Sequence, residues 1–92
     1  MIEPKVSIIL LTYNQEQFIS KAIKSALSQT HKNIELIISN NGSTDNTAQI
    51  IETFLPDKRI IFCNHDQNER PNIRTNQALD IASGNFISWL QY

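Results

Sequence analysis

Residues 34–47 read IELIISNNGSTDNT, and this junction limits the possible folds more than any other stretch. An apolar run rich in β-branched residues (Ile34, Leu36, Ile37, Ile38) stops at Ser39-Asn40-Asn41-Gly42, and Ser43-Thr44-Asp45-Asn46-Thr47 then leads into a helical pattern. Strand, polar turn and helix follow one another with no linker. In an open parallel sheet such a junction lies at the carboxyl end of a strand, where folds of that kind place their ligands. Asn40 and Asn41 are therefore the first candidates for a binding role.

The same alternation runs through the whole chain. Residues 6–11 (VSIILL) are almost wholly apolar, the pattern of a strand covered on both faces, and end at Thr12-Tyr13-Asn14. Over residues 15–28 the positions Phe18, Ile19, Ala22, Ile23, Ala26 and Leu27 fall at helical spacing, with Asn14 as N-cap. A second helix is predicted over 45–55, capped by Ser43 or Thr44 and stopped by Pro56. A third strand is predicted over 59–64 (RIIFCN), followed by the polar loop HDQNERP. The third helix, 72–83, has Gly84 at its C′ position, and 86–90 reads as a fourth, buried strand before Gln91-Tyr92.

Strict alternation of this kind predicts an α/β fold: a Rossmann-like three-layer α/β/α arrangement with a mainly parallel sheet, right-handed crossovers and helices on both faces. The carboxyl ends of the strands would bring Thr12-Tyr13-Asn14, Asn40-Asn41-Gly42, His65-Asp66-Asn68 and Gln91-Tyr92 to one rim. An apolar strand with no closing helix after it leaves sheet uncovered, so the reading is a domain truncated after its fourth strand.

Composition removes several function classes. Eight basic against nine acidic residues give no basic surface, so nucleic acid is not expected as a partner. The single cysteine, Cys63, excludes an internal disulfide framework and a cysteine metal cluster, and its apolar setting predicts a buried thiol. The first apolar run is too short for a signal peptide, and nothing approaches the roughly 18 to 20 apolar residues of a membrane span, which predicts a soluble, cytoplasmic portion. After the first strand stands Thr12-Tyr13-Asn14-Gln15-Glu16-Gln17, without the glycines of a dinucleotide fingerprint or a P-loop, and without the acids of a receiver domain.

The opening KVSIILLTYN, the segment KAIKSALSQTHKNIELII, the turn NNGSTDNT and the final ALDIASGNFISWL together resemble, across nearly the whole chain, the amino-terminal half of a family 2 inverting glycosyltransferase with the GT-A fold. The resemblance implies that residues 1–92 are the nucleotide-sugar-binding portion of such a domain. It implies a nucleotide-diphospho-sugar donor, usually UDP-linked, an acceptor hydroxyl on a saccharide or lipid-linked molecule, and assistance by Mg²⁺ or Mn²⁺. It also implies work on polysaccharide at the cytoplasmic face of the membrane.

By the resemblance, Tyr13 matches the aromatic that stacks on uracil, flanked by Thr12 and Asn14. Asn40 and Asn41 match the two acids of an Asp-Asp-Gly-Ser turn, the second of which accepts the uracil imide hydrogen, and Gly42 matches its glycine. An amide carbonyl at position 41 can still accept that hydrogen, without charge assistance, while its NH₂ adds a donor, so a base other than uracil stays open. Arg74 lies one residue from a position where the family often has an arginine, and could pair with a diphosphate. Gln91 and Tyr92 match the first two positions of an Asp-x-Asp motif, which puts the metal-binding residue just after Tyr92 and the general base later still. No catalytic residue and no metal ligand is thus expected within this chain, which alone should be inert. The competing reading, motivated by amides in place of acids, is a non-catalytic nucleotide-sugar-binding or assembly module of the same fold.

Overall fold

The computed structural model describes residues 4–90. Four parallel strands, β1 (Val6–Thr12), β2 (Ile34–Asn41), β3 (Ile60–His65) and β4 (Phe86–Leu90), form one sheet in the order β3-β2-β1-β4. The crossovers contain α1 (Ile19–Ser28), α2 (Thr47–Glu52) and α3 (Pro71–Ile81). The first two crossovers step outward from β1 to β3; the third returns past them to β4 on the other side of β1. Because such crossovers keep one hand, the reversal moves the helix to the opposite face. Accordingly Ile19, Ala22, Ile23 and Ala26 of α1 and Ile51 of α2 pack with Ile8, Leu10, Leu36 and Ile38, whereas Ala78 of α3 packs with Ile9 and Ile37. Burial of each such Ile or Leu contributes roughly 1.5–3 kcal/mol, which makes the α1–α2 face the main source of stability.

Several local expectations are corrected. β2 runs on through Asn40 and Asn41 instead of ending at Ile38, because β3 pairs with it to its end, with Asn41 opposite His65. Asn14 does not cap α1. Its φ of 49° is left-handed, its side chain turns to the β2–α2 junction, and α1 begins at Ile19. α2 ends at Glu52, after which Thr53, Phe54 and Leu55 donate to carbonyls three residues back in a tighter turn that leads into Pro56. Gly84 is not a left-handed C′ residue: a Cβ there would lie 2.6 Å from Ser7 Oγ and 2.7 Å from Ser7 N, so close approach to β1 is what requires glycine. β4 is an edge among the described strands, with Phe86, Ile87 and Trp89 exposed rather than buried.

At the amino end of the sheet sits a buried carboxylate. Glu35 interrupts the apolar run of β2 and is 6% exposed. It accepts from Ser7 Oγ (2.6 Å), Ser83 N (2.7 Å) and Ser83 Oγ (2.9 Å), and pairs with Lys5 Nζ at 3.1 Å. Burial works against its charged form, but the bonds from Ser7, the Ser83 backbone, Lys5 and the Ser83 hydroxyl outweigh it and bring its pKa down to about 2. The carboxylate thereby ties β1, β2 and the exit of α3 together.

Candidate functional site

At the carboxyl end of β1 the register sets Thr12 beside Asn40, so the residues that follow β1 meet those that follow β2. Asn14 Oδ1 accepts from Thr44 N (2.7 Å) and Asp45 N (3.3 Å), while its own backbone N–H donates to Ser43 Oγ at 2.9 Å. It thus serves the start of α2 across the gap between the two junctions. Neither Ser43 nor Thr44 caps α2: its N-cap is Asn46, without a side-chain bond, and Asp45 just before it accepts from Thr47 N at 2.9 Å. Asn40 is 1% exposed and bonded through both ends of its amide: Nδ2 donates to Asn64 Oδ1 at 2.8 Å, and Oδ1 accepts from Ser43 Oγ at 2.5 Å. Thr12 is buried and donates to Gln15 Oε1 at 2.9 Å. These four side chains, Asn14, Asp45, Asn40 and Thr12, hold the rim in shape.

Gly42 brings in the β3–α3 loop. With φ at +70° it occupies the left-handed region, and a Cβ there would lie 2.4 Å from Gln67 C and 2.6 Å from Asn68 N. No side chain fits between the two backbones. The loop so fixed, which includes the donation of Asn68 Nδ2 to Asn41 O at 3.1 Å, leads to Pro71 at the start of α3.

Between these segments lies an open cleft of about 130 Å³, lined by Leu11, Thr12, Tyr13, Asn41, Pro71 and Arg74. Tyr13 is 46% exposed, which leaves ring surface for a ligand. Arg74 is only 6% exposed: Nε donates to Asn41 Oδ1 (2.8 Å), Nη1 to Gln77 Oε1 (3.0 Å) and Nη2 to the Gln67 carbonyl (2.5 Å). All of these acceptors are neutral. Burial and the Arg74 charge hold His65 below its ordinary pKa, with Asp66 acting the other way. Asn41 also accepts from Glu69 N and donates to the Glu69 carbonyl, both at 2.8 Å.

Of the residues singled out in the sequence, Thr12, Tyr13, Asn41 and Arg74 meet at this cleft, whereas Asn14, Asn40 and Gly42 form the frame around it. Gln91 lies outside the described residues. Pro71 was missed as a cleft wall: a proline that closes a polar loop and opens a helix is a readable N1 signal, but the ring's position depends on α3 crossing to the opposite face. Among the described residues no group of three or more His, Cys, Asp and Glu side chains gathers to hold a metal ion. Nor, among them, is any helix long and apolar enough to cross a membrane.

Comparison with known proteins gives the chain a family. The model of glycosyl transferase family 2 matches residues 7–91. A GalNAc(5)-diNAcBac-PP-undecaprenol beta-1,3-glucosyltransferase of Campylobacter jejuni is 37% identical over 89 residues, which are 95% of this chain and 29% of that protein. The Escherichia coli UDP-Glc:alpha-D-GlcNAc-diphosphoundecaprenol beta-1,3-glucosyltransferase WfaP is 44% identical over 85 residues, 92% of this chain and 34% of that protein. The crystal structure of S. aureus TarS in complex with UDP-GlcNAc superimposes with a TM-score of 0.84 at 30% identity, covering 92% of this chain and 25% of that one. The chain thus spans about a third or less of the length of each. With the family model covering all but its ends, the chain belongs to glycosyl transferase family 2.

Proposed function

We propose that residues 1–92 are the nucleotide-sugar-binding portion of a GT-A glycosyltransferase that transfers a sugar from a nucleoside-diphosphate donor to an acceptor hydroxyl. The observation that carries this reading is the cleft whose lining includes Tyr13, Asn41, Pro71 and Arg74. An exposed aromatic ring and a proline in the lining suit a flat nucleobase, since stacking on an aromatic face is worth roughly 1–3 kcal/mol per base. The N–H groups of Arg74 not used by Asn41, Gln77 and Gln67 are left for oxygens of the ligand. A UDP-linked sugar and a lipid-linked acceptor are favoured by the names of the C. jejuni and E. coli relatives and by the UDP-GlcNAc bound to TarS. Such acceptors would put the enzyme at the cytoplasmic face of the membrane.

In inverting transfer the acceptor oxygen bonds to the anomeric carbon as the bond to the diphosphate breaks on the opposite side. The resemblance assigns neutralisation of that leaving group to Mg²⁺ or Mn²⁺ held by the residue after Tyr92, and the acceptor's proton to a base beyond it. The part of this chain is to bind and orient the nucleoside. The non-catalytic alternative draws on Asn40, whose amide is absorbed by Ser43 and Asn64.

The test is calorimetric titration of UDP-sugars into the full-length protein, with and without Mn²⁺, beside a Tyr13→Ala variant. Binding is expected, with Tyr13→Ala weakening every nucleotide alike by about tenfold or more. If nothing binds in either condition the donor-site reading fails, and donor binding without sugar transfer would favour the non-catalytic module.

A further inference from the structure

β3 closes one side of the sheet, and among the described residues no strand pairs with its outer edge. In a parallel ladder alternate residues turn both backbone groups to the same neighbour. Leu36 N donates to the Arg59 carbonyl at 2.8 Å, which sets the phase: Arg59, Ile61, Cys63 and His65 face β2, while Ile60, Phe62 and Asn64 face outwards. The Ile60 N–H is taken by the Asp57 carbonyl at 3.2 Å. Left on the edge are the Ile60 carbonyl and both backbone groups of Phe62 and Asn64. Sheet edges are commonly protected by charge, proline or a bulge. Ile60–His65 (IIFCNH) contains no proline and no Asp, Glu, Lys or Arg, and its register with β2 is unbroken. β4 is the other edge, but it lies at the end of the described residues, whereas described chain flanks β3 on both sides.

We infer that β3 pairs antiparallel with β3 of a second copy, about a two-fold axis at Phe62, so that the two sheets join edge to edge in a homodimer. Phe62 then lies opposite the partner subunit's Phe62, and Asn64 opposite the partner subunit's Ile60. Each Phe62 N–H donates to the other Phe62 carbonyl, and each Asn64 N–H to an Ile60 carbonyl. The Asn64 carbonyl stays with water, because the Ile60 N–H is already used within its own chain. An axis perpendicular to the sheet keeps side chains on their own face, so the Phe62 rings, partly buried against the α1–α2 core, form a cross-strand aromatic pair. The same register brings Lys58, at the entry of β3, towards the partner subunit's Asp66 at the exit; both are exposed and their charges are opposite. Donors, acceptors and charges match when this edge is turned upon itself, which is the requirement of an isologous contact and makes a second copy the occupant. No residue lining the cleft belongs to β3, so the junction leaves both clefts open.

The experiment is sedimentation equilibrium of the full-length protein from about 1 to 100 µM, for wild type and Phe62→Pro, with circular dichroism to check folding. Proline at 62 removes an outward N–H and leaves the ladder to β2 intact. Wild type is expected to dimerise within that range and Phe62→Pro to stay monomeric. A wild-type monomer throughout, or an association that folded Phe62→Pro leaves intact, overturns the inference. Should Phe62→Pro not fold, the charges decide. Asp66→Lys is expected to weaken the dimer about threefold or more, and Lys58→Asp added to it to restore the wild-type constant. No weakening, or weakening without restoration, overturns the antiparallel register and the inference with it.

Discussion

Glu35 makes this fold acid-sensitive in a defined interval. Its folded-state pKa of about 2 lies below the ordinary 4.5, so its contribution is complete above pH 4.5 and is lost as the pH falls through about 2. A difference of that size corresponds to ~3 kcal/mol, a large part of the stability of a small domain. The donors explain why the effect survives screening. Lys5 is partly exposed and its share weakens in salt, but Ser7 Oγ, Ser83 N and Ser83 Oγ are neutral donors at 2.6–2.9 Å. The perturbation is Glu35→Gln, with urea unfolding followed by circular dichroism over the interval from above pH 4.5 down to about 2. The variant is expected to be less stable by ~3 kcal/mol at neutral pH, with the gap closing towards pH 2 as the wild-type carboxylate takes up its proton. Other carboxylates titrate in both proteins and cancel. A gap that stays constant across the interval would refute the assignment of a depressed pKa to Glu35.

Two further predictions concern the frame of the cleft. Gly42→Ala sets a Cβ against the Gln67 and Asn68 backbone at a φ of +70°, and is expected to cost ~2 kcal/mol or more, read as a lowered thermal midpoint. Asn14→Gly keeps the left-handed backbone at low cost and loses only the bonds to Thr44 and Asp45, about 1 kcal/mol, whereas Asn14→Ala adds roughly another 1 kcal/mol for its φ of 49°. Equal midpoints for the two Asn14 variants would remove the backbone share of that cost.

The strands were legible because each is a short apolar run between polar turns, and alternation with helical spacing was enough for a parallel α/β sheet. Strand order was not, since nothing local says that α3 carries the chain back past β1. The extension of β2 through Asn41 was hidden for the same reason: asparagines read as a turn until pairing with Asn64 and His65 supplies their backbone partners. Tyr13 and Asn41 could be named as site candidates from strand ends alone. The hold of Arg74 on the Asn41 oxygen could not, because these residues come together only after α3 has crossed the sheet. Glu35 did carry a signal. An acid between Ile34 and Leu36 in a strand covered on both faces must have buried partners, and their identity, Ser7, Ser83 and Lys5, belongs to the tertiary structure.

Gly42 has a bearing on how such a protein can change over generations. Because backbone rests on backbone there, the approach of the β3–α3 loop to Gly42 is set by main-chain atoms of residues other than 41. Asparagine and aspartate have nearly the same outline, and a single nucleotide exchanges their codons. A lineage with this scaffold can therefore exchange amide for carboxylate at position 41 in one mutational step, without rebuilding a loop. The charge of this cleft-lining position becomes a trait that selection can revise separately from the fold.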